Sequence, residues 1–175
     1  MADLDTLRYP VGKFERPVAP LDRATRDALV KTIEDTPARM RALVEKLSDR
    51  QLETPYRPGG WSIRQVVHHV PDSHLNAYVR MKLAMTEDTP TIRTYEEQRW
   101  AELPEAKSGD VSMSLSLLEA LHRRWVVFLR NLSDADFSRA YLHPDMGRMR
   151  LDEVLALYGW HCHHHVAHIE QALRA

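Results

Sequence analysis

Apolar residues recur at three- and four-residue intervals in four long stretches of this chain, the period that one face of an α-helix requires. The first stretch runs from about Asp22 to Lys46, with Leu29, Ile33, Met40, Leu43 and Leu47 on one face. Asp22 follows Pro20 and stands where an N-cap belongs, and Pro37 predicts a kink inside the helix. The second starts at Ser62, after Gly59-Gly60-Trp61, where Ser62-x-x-Gln65 has the form of a capping box, and continues to about Met85. The third spans Ser112 to Asn131 and carries Leu115, Leu118, Leu121, Trp125, Phe128 and Leu129 in register. The fourth spans Leu151 to Leu173, with Asp152 and Glu153 in its first turn, where they suit the helix dipole, and with Arg150 as a poor cap.

The segments between these stretches hold most of the prolines and glycines. The expected architecture is therefore all-α, a four-helix bundle forming a single domain over residues 1–175. Thr89 to Asp110 is read as a long connection between the second and third helices, and the first twenty residues as an extended arm. Leu47-Ser48-Asp49-Arg50-Gln51-Leu52 after the first helix resembles Leu132-Ser133-Asp134-Ala135-Asp136-Phe137 after the third. Each pairs a Ser cap with an apolar staple, as if helices one and two repeated as three and four about a pseudo-twofold axis.

Composition narrows the function. Lys+Arg number 24 against 25 Asp+Glu, a net charge of -1, so there is no sequence-wide excess of positive charge to neutralise a nucleic acid backbone. The longest apolar run, Trp125 to Leu129, falls far short of the roughly 20 residues of a membrane helix. Acidic residues occupy the N-terminus where a signal peptide has a basic one, and a cytoplasmic protein is expected. The single cysteine, Cys162, excludes an intramolecular disulfide and any site built of four thiolates.

Histidine is the informative residue. Five of the 10 histidines, His161, His163, His164, His165 and His168, fall within eight consecutive residues of the fourth helix. The stripe Leu151, Val154, Tyr158, His161, His165, His168, Ala172 is apolar at its start and histidine further on. His161 and His165 stand at i and i+4, a spacing that lets two imidazoles hold one metal ion. A third ligand has to come from another helix, where His68, His69 and His74 are the candidates. With Ile63, Val66, Val67, Val70, Ala77, Tyr78 and Met81 as the buried face, helical phase favours His74 and sets His69 roughly 120° away. Cys162 points about 100° from His161 and is assigned to packing, while His163 and His164 take supporting or exposed places.

Two stretches carry a resemblance. Glu-Thr-Pro-Tyr-Arg-x-Gly-Gly-Trp-Ser-x-Arg-Gln-Val-Val-His-His, Glu53 to His69, and Leu-Tyr-x-Trp-His-x-His-His-His-x-Ala-His-Ile, Leu157 to Ile169, resemble the YfiT branch of the DinB superfamily. Tyr9-Pro10-x-Gly12 and Asp72-Ser73-His74 match that branch too; Pro71 stands where it usually has alanine, and Arg150 replaces its usual capping threonine. The resemblance implies a four-helix bundle, often a homodimer, binding one divalent ion per chain, zinc or nickel, through His69, His161 and His165. It also implies a metal-dependent hydrolase or a transferase of a low-molecular-weight thiol such as bacillithiol.

Three neutral imidazoles leave the charge of such an ion uncompensated and a coordination position open. The glutamate base that H-E-x-x-H metalloproteases place between their two helical histidines is missing, since Cys162, His163 and His164 stand there. Activation of a small thiol is therefore expected ahead of activation of water. His164, His168, Glu96, Glu97 and Glu102 are the other candidate proton acceptors; Tyr56, Trp61, Tyr141, Tyr158 and Trp160 are candidate pocket aromatics, and Arg57 and Arg64 candidate anion holders. The alternative is a non-catalytic metal-binding or stress protein whose ion braces the bundle.

Overall fold

The computed structural model describes residues 4–174. The four expected helices form, as α2 (Arg23–Val44), α4 (Ile63–Thr86), α7 (Val111–Arg130) and α9 (Leu151–Ala172). Their starts follow the sequence signals. The Asp22 carboxylate accepts from the Thr25 N–H at 2.7 Å, and the Ser62 N–H donates to Gln65 Oε1 at 3.0 Å while Ser62 Oγ accepts from the Gln65 N–H. At the start of α9 the Arg150 side chain has no acceptor to offer; the Asp152 carboxylate accepts from the Glu153 N–H at 2.9 Å in its place, and the Glu153 carboxylate accepts from the Arg150 N–H at 2.8 Å. Helix α2 continues through Pro37, and α4 through Pro71.

In the bundle, α2 packs on α7 and α9, and α4 packs on the same two helices. Helices α2 and α4, consecutive among the long ones, therefore lie diagonally across the core. Short elements make the crossings: α3 (Asp49–Leu52), α5 (Glu97–Trp100), α6 (Pro104–Ser108) and α8 (Asp134–Phe137). The long connection expected over Thr89 to Asp110 contains α5 and α6. An antiparallel hairpin that the sequence pattern does not predict, β1 (Ala140–His143) with β2 (Gly147–Arg150), leads directly into α9. The arm is only partly extended, since α1 (Leu4–Arg8) begins it.

The core is split. One apolar cluster gathers Val30 and Ile33 of α2, Ala77 and Met81 of α4, Trp125 of α7 and Leu155 of α9. The other gathers Met40, Val66, Val70, Leu118, Val166 and Ile169. On every long helix the change from one cluster to the other falls at the same level. There α4 carries His74, α7 carries His122 and α9 carries His161 and His165, so a layer of imidazoles crosses the bundle between two hydrophobic halves.

Candidate metal centre

Helices α4 and α9 bring three imidazoles to one point. His161 Nε2 lies 3.3 Å from His69 Nε2 and 3.1 Å from His165 Nε2. One ligand nitrogen from each of the three rings lies within 4.8 Å of the others. Nitrogens bound tetrahedrally to one ion at about 2.0–2.1 Å would stand about 3.4 Å apart, so the donor set fits a divalent transition metal. The rings are neutral because burial disfavours their charged forms: His69 is pulled down to about 4, with His168 adding to the effect, and His161 and His165 fall well below the ordinary imidazole value.

The other candidates from the sequence take different places. His74 is fully buried and reaches His161 from the opposite edge of the ring, with its Nε2 3.0 Å from His161 Nδ1. His68 turns away, with Nδ1 2.7 Å from Ser114 Oγ and Nε2 3.2 Å from the Gly109 carbonyl. His163 is exposed. His164 stacks on Trp160 at 4.3 Å, and its Nδ1 is buried without a partner among the described residues. Both nitrogens of His168 are engaged, one 3.4 Å from His165 Nδ1 and one 3.1 Å from the Arg8 carbonyl. Cys162 packs in the apolar half of the core, where burial pushes its thiol up to about 12.

Beside the three histidines lies a cavity of about 200 Å³. Arg8, Tyr9, Arg57 and Glu97 share its wall with His69 and His165. Of the five pocket aromatics expected from sequence, Trp61 packs on His69 at 4.7 Å and Tyr56 stacks on His168 at 3.8 Å. Tyr141 and Tyr158 belong to the buried core instead, and Trp160 donates to the Gly12 carbonyl at 3.0 Å, pinning the arm to α9. Of the two arginines, Arg57 lines the cavity with its Nε buried and without a partner among the described residues. Arg64 is structural, bound to Glu53 at 2.7 Å, Asp49 at 2.8 Å and the Gly109 carbonyl at 2.9 Å.

Sequence reasoning overlooked two residues. His122 is 1 % exposed and hydrogen-bonds the His74 ring at 2.7 Å; its place on the apolar stripe between Leu118 and Trp125 was the available signal. Arg8 precedes the Tyr9-Pro10-x-Gly12 motif, yet nothing in its spacing shows that the arm returns to α9.

A bundle of crossed helices with three histidines facing one point, two of them buried and one half-buried, defines a class, and the chain belongs to the DinB superfamily, whose family model matches residues 32–169. It is 47% identical over 169 residues, covering 96% of this chain and 94% of the relative, to a Bacillus subtilis protein named "Putative metal-dependent hydrolase YfiT". A Bacillus mycoides protein also named a metal-dependent hydrolase is 48% identical over 163 residues, 93% of each chain. The solved structure of B. subtilis YfiT, described as "a probable metal-dependent hydrolase with an unusual four-helix bundle topology", superposes with a TM-score of 0.93 at 46% identity over 97% of both chains.

Proposed function

We propose that this chain is a metal-dependent hydrolase that holds one divalent ion, zinc or nickel, on His69, His161 and His165 and acts on a small molecule in the adjoining cavity. The supporting observation is the meeting of three neutral imidazole nitrogens, on two buried rings and one half-buried ring, within 4.8 Å of one another beside a cavity of about 200 Å³, room for a small molecule. An ion there supplies Lewis acidity, which brings a coordinated water to a pKa of about 7 or keeps a coordinated thiol as thiolate. The chain's own residues supply the rest. Glu97, at the first turn of α5, shares the cavity wall and is the carboxylate that accepts a proton from the nucleophile. Trp61 and Tyr56 pack against the histidines and keep water off the ligand edge. Arg8 and Arg57 offer cationic donors to an anionic group of the substrate.

Thiol transfer is the second reading, favoured by a donor set without any carboxylate and by two arginines facing the cavity, which suit an acidic thiol. Cobalt-loaded protein separates the two. A hydrolase cleaves a simple ester in a metal-dependent manner with a pH profile rising near 7. In that case Glu97→Gln lowers the rate by about a hundredfold or more. A strong near-ultraviolet thiolate-to-cobalt band on adding a small thiol, with no metal-dependent cleavage across an ester and amide panel, assigns the chain to transfer instead.

A further inference from the structure

Pro37 has no N–H, so the Ile33 carbonyl, four residues back in α2, lacks its helical donor. His122 of α7 takes that place, with Nδ1 2.6 Å from the Ile33 oxygen. A carbonyl only accepts, so the His122 proton sits on Nδ1 and, the ring being neutral, Nε2 is a bare lone pair. That lone pair lies 2.7 Å from His74 Nδ1, which must therefore donate, leaving His74 Nε2 bare. His74 Nε2 in turn lies 3.0 Å from His161 Nδ1, which must donate as well. The polarity set by one freed carbonyl thus passes through three imidazoles and emerges as a lone pair on His161 Nε2, the atom that faces His69 and His165.

A shorter chain ends at the neighbouring ligand. The Arg8 carbonyl of the arm accepts from His168 Nε2 at 3.1 Å, and His168 Nδ1 lies 3.4 Å from His165 Nδ1. The same parity puts the His165 proton on Nδ1 and the lone pair on Nε2. Two bare nitrogens then face each other across 3.1 Å with no proton between them; His69 Nε2 at 3.3 Å and Ser73 Oγ at 3.5 Å are the donors within reach of His161 Nε2, and a cation relieves both bare nitrogens at once.

We propose that His122, His74 and His168 are positioning residues that lock the tautomers of the two ligand histidines of α9, with the Ile33 carbonyl freed by Pro37 and the Arg8 carbonyl of the arm as the fixed ends. The proposal rests on the metal reading above and goes beyond it, because it names which nitrogen each ring presents and what fixes the choice. Outer partners of metal-bound histidines are commonly worth 10–100-fold in affinity.

The test uses ¹⁵N-histidine-labelled full-length protein, with zinc as the diamagnetic probe. Long-range ¹H–¹⁵N spectra should show the proton on Nδ1 of His122, His74, His161 and His165 and on Nε2 of His168. Chelator competition should show zinc held about 10–100-fold more weakly by His122→Phe. His122→Gln, whose amide can donate to Ile33 and accept from His74, should recover most of that loss. A His74 proton found on Nε2, or His122→Phe binding zinc as tightly as the parent, overturns the proposal. Because the tautomers are read in the unsubstituted protein, a variant that fails to fold leaves the test intact. Failure of the metal reading looks different: no zinc bound by the parent protein, while the tautomer pattern is still read in its metal-free form.

Discussion

His69 and His74 stand five residues apart on α4, yet both touch His161, one at Nε2 and the other at Nδ1. On the proposed reading their removal has different consequences. His69→Ala and His165→Ala each delete a ligand and should bring metal content from about one ion per chain to a small fraction of that. His74→Ala should leave an ion bound but about 10–100-fold more weakly. Metal analysis of untagged protein after dialysis decides it, and full metal in His69→Ala with none in His74→Ala would reverse the assignment. The i, i+4 pair on α9 was legible from spacing, because both rings project from one face of one helix. The third histidine was not, since phase ranks residues by burial: it rightly placed His74 deepest, but burial does not say which edge of a partner ring a residue meets. Motif resemblance named His69 where phase could not. Glu97 was one of several acidic residues in a long connection, and only the fold of that connection puts it beside the cavity.

Caps were the most legible feature at the scale of elements, because a cap is written in four consecutive residues. Ser48 and Ser133 repeat one device after α2 and after α7: the Ser48 N–H donates to Gln51 at 2.9 Å and the Ser133 N–H to Asp136 at 2.8 Å. The correspondence continues further than the six similar residues. The Ile63 N–H donates to the Thr54 carbonyl at 3.0 Å and the Leu151 N–H to the Arg139 carbonyl at 2.9 Å, so each half closes an antiparallel link just before its second long helix. In the first half that link is a single bridge between Pro55 and Ser62; in the second it grows into the β1–β2 hairpin. Four-residue strands carry too little alternation to be read from sequence, although Gly147, at a φ of 70°, marks the left-handed position where the turn enters β2. Ser62 caps the helix that carries His69 and His74. Ser62→Ala should cost about 1 kcal/mol in denaturant unfolding, and Ser62→Asp should restore most of it. No change on Ser62→Ala would mean that the Gln65 arm of the box holds the helix start alone.

A bundle that runs a layer of neutral imidazoles through its core carries a pH liability. Asp72 opposes it, since burial raises that carboxyl to about 6 and so favours the folded state as pH falls toward its ordinary range, but it is one group against many rings. His122 gives the cleanest reading, being neither one of the three clustered histidines nor in contact with one. Burial pulls it down to about 4, while its bond to the Ile33 carbonyl pulls weakly the other way. The groups around it are the His74 ring on α4, the Ile33 carbonyl on α2, and Glu34, Arg41, Glu119, Arg123 and Arg130 along the groove between α2 and α7. A ring whose folded value lies below its unfolded value of about 6.5 binds its proton more readily when unfolded. Its contribution is therefore fully present above about pH 6.5 and is lost as pH falls toward about 4. A displacement of that size is on the order of 3 kcal/mol across the window. In chelator-treated protein, the unfolding free energy of the parent should fall between pH 6.5 and 4 more steeply than that of His122→Phe, which lacks this ring. The two curves should run parallel above pH 7, where the ring is neutral in both states. Curves that stay parallel down to pH 4 would show that His122 titrates alike folded and unfolded, and that the imidazole layer is open to water at α7.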